Sequence, residues 1–175
     1  MATRLVPHDP TWASDFAREA EALMDIFGEY ADWIEHIGST SIHGILAKPV
    51  IDILVAASNL DAIAQKSTGM QSIGYEAKGE YGLAGRHYFR KVDANGVRTH
   101  HVHVFQTGSD ALDRHLAFRD YLRANPEIAQ AYSDIKAGFS HLDRKGYQAA
   151  KSEWIIHTQT AALTWQASAK FLLSP

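Results

Sequence analysis

The 175-residue sequence predicts an α/β (α+β) fold: a mixed β-sheet flanked by helices, followed by a C-terminal helical segment. Three observations carry that expectation. Val50-Ile51-Asp52-Ile53-Leu54-Val55 is a β-rich, almost unbroken apolar run, as in strands covered on both faces. Asn95-Gly96 separates two β-rich stretches and is a hairpin-turn signal. Apolar residues recur at helical spacing near both ends of the sequence.

The elements follow in order. Asp9-Pro10 opens a helix, with a capping carboxylate and then proline at the first helical position. Trp12, Phe16, Ala20, Leu23 and Phe27 form its apolar face, and Gly28 stops it. A short strand is expected over 33–37, then a loop over 38–47 with about one helical turn. After the central strand, one helix is expected over 60–70, capped by Asn59. A glycine-punctuated stretch carries a short strand over 72–77. The hairpin strands are expected at 86–93 and 98–106. The rest reads as helices over about 109–168. Ser109 caps the first, Asn125-Pro126 divides it from the second, and Gly146 precedes the third. Trp12, Trp33, Trp154 and Trp165 sit on apolar faces, as core or interface aromatics do.

Apolar residues make up 46% and charged residues 21%, an ordinary globular composition for one domain spanning 1–175. The net charge of −3 lacks the basic excess that marks a nucleic-acid partner. The absence of cysteine excludes disulfides and thiolate metal sites. The opening residues lack a basic-then-apolar leader plan, and no run approaches the ~18 apolar residues of a membrane span. A cytoplasmic protein without membrane association is the expectation.

Four groups of residues carry candidate chemistry. Gly38-Ser39-Thr40-Ser41 leaves a strand as a hydroxyl-rich turn. Glycine permits a close backbone approach, and the hydroxyls and amides can cradle phosphate. Helix capping is the plainer use of such a turn. Asp52 interrupts the buried strand, and a carboxylate there needs a partner, whether a metal or a cation such as Lys48 or an arginine. His101 and His103, at i and i+2, share one strand face. If their strand adjoins Asp52, two imidazoles and a carboxylate suit a transition metal better than magnesium, which prefers oxygen ligands. Polar contacts at a pocket wall would serve the histidines equally. Basic side chains complete the set: Lys48, Arg86, and the i+4 series His115, Arg119 and Arg123. Each can meet an anionic ligand or pair with acids such as Asp113 and Asp120.

Ser39 and Asp52 are twelve residues apart in this arrangement. A Gly-Ser turn after one strand and a carboxylate on the next resembles the nucleotidyltransferase superfamily. There the turn holds a nucleotide triphosphate and carboxylates hold magnesium. A closer resemblance covers about residues 4–160. Glu35-His36-Ile37-Gly38-Ser39-Thr40-Ser41, Ala47-Lys48-Pro49-Val50-Ile51-Asp52-Ile53-Leu54-Val55 and Arg98-Thr99-His100-His101-Val102-His103-Val104 look like the GrpB-like family. So do His115-Leu116-Ala117-Phe118-Arg119-Asp120-Tyr121-Leu122-Arg123, with Tyr147 and Lys151 beyond them. The resemblance implies a nucleotidyltransferase-like fold. It also implies kinship with domains fused behind dephospho-coenzyme A kinase. One position departs from the superfamily pattern: Leu54 stands where a second carboxylate, two residues after Asp52, is usual.

The resulting expectation is an enzyme acting on a nucleotide or another phosphorylated small molecule. Gly38, Ser39, Thr40 and Ser41 would position phosphate, Asp52 would hold a divalent metal (Mg, Mn or Zn), and Lys48 or Arg86 would neutralise charge, with His115 and Arg119 as further ligand contacts. Two alternatives stand beside it: a non-catalytic accessory domain linked to coenzyme A metabolism, and a metalloenzyme using Asp52, His101 and His103.

Overall fold

Asp9 begins the first helix by accepting hydrogen bonds from the Thr11 amide (2.9 Å) and the Thr11 hydroxyl (2.7 Å). Helix α1 (Thr11–Phe27) ends at Gly28, whose φ of 57° favours glycine. The structure, a computed structural model, describes residues 4–172. Strand β1 (Ala31–Ile37) leads into a 3-10 turn at Ser39–Ser41, and strand β2 (Ile51–Ala57) follows the loop after it.

The single helix expected over 60–70 is two. Helix α2 (Leu60–Gln65) breaks at Lys66, and α3 (Ser67–Ser72) resumes immediately. Buried Ile63 and Met70 anchor one each, so tertiary packing overrides the continuous local pattern. Asn59 caps α2 as expected, accepting from the Ala62 amide at 3.0 Å. Strands β3 (Tyr75–Ala77), β4 (Arg86–Val92) and β5 (Arg98–Gln106) complete the sheet. Asp93 organises the hairpin turn by accepting from the amides of Asn95 and Val97.

The sheet order is β1-β2-β5-β4-β3, and β2 pairs with β5 in parallel. Every residue of β2 is buried except Asp52, which is partly exposed. His36, Ile53, Val102 and Phe89 form one row across four strands. Paired residues share a face. Helix α1 covers this one: the Phe16 ring stacks on His36 at 4.9 Å, and Phe27 lies 6.1 Å from Phe89. Glu19 adds an ion pair to Lys91 at 2.9 Å. On the opposite face, Ile37, Asp52, His101 and Arg90 form one row, and Glu35, Leu54, His103 and Tyr88 the next.

These strands and α1–α3 make up one compact unit, residues 9–41 and 50–112. The other comprises residues 1–8, 42–49 and 113–175. It holds most of α4 (Asp110–Ala124), with α5 (Pro126–Phe139) and α6 (Arg144–Leu172). Ser109 stands before α4, but its hydroxyl is buried and caps nothing among the described residues; its carbonyl accepts from Leu112 instead. Gly146 does not precede α6 but lies in its first turn, where its amide donates to Asp143 at 2.8 Å. Among the described residues, no helix is long and apolar enough to cross a membrane.

Helix α5 buries polar as well as apolar side chains. Ala129, Tyr132, Ser133 and Lys136 are buried. Ser133 accepts from the Leu46 amide at 2.9 Å, and the Lys136 ammonium donates to the Leu46 carbonyl. Two polar side chains thus grip both ends of one residue in segment 42–49. Tyr132 supplies a cation–π face to Lys136 at 4.3 Å and stacks on Trp154 at 5.0 Å. Burial, reinforced by the charge of Lys151, pushes Lys136 down to about 7. The unfolded chain therefore binds more protons than the folded one between about pH 7 and the ordinary lysine value of about 10.4. Stability should rise with pH across that window. Denaturation midpoints measured from pH 7 to pH 10 should show the rise in wild type and a flatter profile in Lys136→Met.

Candidate functional site

The site grows from one crowded spot between β1 and β2. Gly38 leaves β1 with φ 71°, and a Cβ added there would sit 2.5 Å from Asp52 Oδ2 and 3.0 Å from Asp52 Cβ. The close approach that glycine permits here is thus made by Asp52. The turn folds onto itself beyond that point. The Ser41 hydroxyl and amide both donate to the Gly38 carbonyl, at 2.7 Å and 3.1 Å.

Thr40 is buried, and its hydroxyl donates to the Val50 carbonyl at 3.2 Å and lies 2.9 Å from His36 Nε2. It ties the turn to the start of β2 and faces inward, whereas a phosphate contact was expected of it. Ser39 is half-buried within the turn.

The parallel register sets His101 directly opposite Asp52 and His103 opposite Leu54. His101 Nδ1 lies 2.8 Å from Asp52 Oδ1, and His103 Nε2 lies 3.8 Å from the same oxygen. Ligand atoms of all three residues fall within 4.8 Å of one another. Burial raises the Asp52 carboxyl, but hydrogen bonds and charge from His101 and His103 outweigh it and hold the group well below the usual carboxylate range. The two imidazoles flank Asp52 as expected for a β5 strand adjoining β2, and they take the place that the alternative reading gave to Lys48 or an arginine.

Protons on the imidazoles follow from their neighbours. His101 Nδ1 donates to Asp52, and His101 Nε2 is buried without a hydrogen-bond partner among the described residues. Arg86 Nη1 lies 3.4 Å from His103 Nδ1. A guanidinium only donates, so the neutral His103 ring carries its proton on Nε2, toward Asp52. Arg86 also donates to the carbonyls of Glu80 (3.0 Å) and Tyr81 (2.8 Å). Burial lowers its pKa.

Tyr88 walls the site. Its ring lies 5.6 Å from His101 and 5.2 Å from His103, and the Arg86 guanidinium lies 5.0 Å from its centroid. Sequence reading missed it, although Tyr88 is i+2 from Arg86 and strand alternation puts both on one face. The same face carries a second acid, Glu35, in register with Leu54. Leu54 itself is fully buried.

Lys48, His115 and Arg119 belong to the other unit. Lys48 is exposed, and His115 is half-buried. Arg119 is buried and donates to Asp120 at 2.7 Å, so the α4 stripe holds an internal ion pair.

A five-stranded mixed sheet, with a Gly-Ser turn leaving one strand and a carboxylate on the next, defines a nucleotidyltransferase-like fold. The Cid1 poly(U) polymerase in its MgGTP-bound structure shares this fold, with TM-score 0.52 and 12% identity over 74% of this chain and 43% of that one. Within that class the affiliation is closer. The family model described as GrpB protein matches residues 2–160, and the chain belongs to that family. The crystal structure of the conserved protein GrpB from Enterococcus faecalis superposes with TM-score 0.88 and 39% identity, covering 93% of this chain and 99% of that one. The UPF0157 protein YqkA of Bacillus subtilis is 42% identical over 165 residues, 93% of this chain. The chain spans about half of YqkA, 48% of its length.

Two predictions follow from this geometry. Gly38→Ala places a methyl group against Asp52 at a left-handed backbone position and should cost roughly 1–3 kcal/mol in urea denaturation. Asp52 has a depressed folded pKa, so its ionic contribution is present above the unfolded value of about 3.9 and fades as pH falls below it. The stability difference between wild type and Asp52→Asn should therefore shrink between about pH 5 and about pH 2 in the same assay.

Proposed function

We propose that this chain is a metal-dependent enzyme of nucleotidyl or phosphoryl transfer, working on the sheet face that carries Asp52. One observation carries the reading: the ligand atoms of Asp52, His101 and His103 lie within 4.8 Å of one another. Metal–ligand bonds are about 2.0–2.2 Å, so small side-chain adjustments would let all three hold one ion. Two nitrogens and one oxygen suit manganese, zinc or iron better than magnesium. Such an ion would supply charge neutralisation for a phosphoryl oxygen.

The protein's own groups divide the remaining work. Gly38 gives Asp52 room and keeps it aimed along the sheet face. Ser39, at the head of the 3-10 turn, meets phosphate. Arg86 brings a fixed positive charge to the edge of the site, beside His103.

A non-catalytic binding domain is the second reading, and buried Leu54 favours it, since no acid on β2 joins Asp52. Calorimetric titration of metal-stripped protein with Mn²⁺, Zn²⁺ and Mg²⁺ tests the metal. Wild type should bind one transition-metal ion more tightly than Mg²⁺, and His101→Ala and Asp52→Asn should each weaken it at least about tenfold. Equal binding by wild type and variants would remove the basis of the proposal. Turnover of nucleoside triphosphates, present in wild type and lost in folded Asp52→Asn, separates enzyme from binding domain.

A further inference from the structure

We propose that Tyr81 is a stacking platform for a nucleobase, which makes the phosphorylated ligand of this site a nucleotide. The inference rests on the function proposed above and adds the chemical class of its ligand.

Tyr81 lies in the loop between β3 and β4. It is the one non-glycine residue with positive φ among the described residues, at 45°. Its neighbours Gly79, Gly82 and Gly85 adopt φ of 59°, 81° and 74° at no steric cost. A glycine at 81 would take the same backbone without strain, so the path of the loop does not call for a side chain there. Burial does not call for it either: Tyr81 is 50% exposed.

What the ring provides is position. It stacks on Tyr88 with centroids 5.0 Å apart and planes 22° from parallel. Tyr88 is buried and its centroid lies 5.2 Å from that of His103. Tyr81 is therefore no more than two ring spacings from the imidazole beside Asp52, a distance a nucleotide spans between base and phosphates. The loop backbone beside it is uncrowded, since a Cβ at Gly79, Gly82 or Gly85 would meet nothing within 4 Å.

The platform is also held in place. Arg86 donates to the Tyr81 carbonyl at 2.8 Å and to the Glu80 carbonyl at 3.0 Å. The Glu80 side chain accepts from the Gly85 amide at 2.7 Å, closing the loop. One arginine thus links the loop that presents Tyr81 to His103. Base stacking tolerates any base, because each has a π-face.

The test is calorimetric titration of the full chain, with Mn²⁺ present, using ATP, UTP and inorganic tripolyphosphate. Wild type should bind both nucleotides roughly tenfold or more tightly than tripolyphosphate. Tyr81→Gly should erase that advantage while leaving the melting temperature unchanged or raised, and Tyr81→Phe should keep it. Equal affinity for nucleotides and tripolyphosphate would overturn the stacking role and leave the phosphate site standing. So would a nucleotide advantage that survives in Tyr81→Gly. No binding of any of the three would overturn both.

Discussion

Asp52 is the charge around which the sheet is arranged. It interrupts a strand buried everywhere else, and a carboxylate in that setting needs strong partners. Two local conditions meet the need. Gly38 has no side chain, so Asp52 Oδ2 fits against its backbone. His101 stands in register on the neighbouring strand and reaches Oδ1 at 2.8 Å. The second condition depends on topology, because β5 must lie beside β2 in parallel for residues 52 and 101 to meet. A shift of one residue would turn both histidines to the face packed by α1. The hairpin that leads into β5 therefore bears directly on the electrostatics of the site.

Much of this was legible beforehand, and for physical reasons. The continuous apolar run of β2, the Asn95-Gly96 turn and the capping residues Asp9 and Asn59 act over short sequence distances. Their outcomes agree with local rules. The departures come from long-range packing. The break at Lys66 lets two short helices each bury one side chain, which no local signal at that position announces. Helix α5 buries Ser133 and Lys136 because the backbone of Leu46 offers both a donor and an acceptor. Apolar periodicity is blind to such a partner.

The site divides along the same line. Asp52, His101 and His103 were legible because burial cost and i, i+2 alternation are properties of single strands. Their convergence needed only one strand adjacency, which the sheet supplies. The inward direction of Thr40 was not legible, because a hydroxyl in a turn gives no sign of which way it faces. Here it faces His36 and Val50 inside the sheet. Tyr81 carried no sequence signal beyond being an aromatic among glycines. Its interest appears only once its backbone angle and its stack on Tyr88 are known.

Leu54 stands two residues after Asp52, where the sequence resemblance points to a second acid. It shares a face with Asp52 yet is fully buried, lying in register between Glu35 and His103. An acid there would bury a second negative charge beside Asp52, against both burial cost and repulsion. The side chains that hold Asp52 ionised, through hydrogen bonds and charge, are instead the β5 imidazoles. Asp52 is thus stabilised from the neighbouring strand rather than from its own.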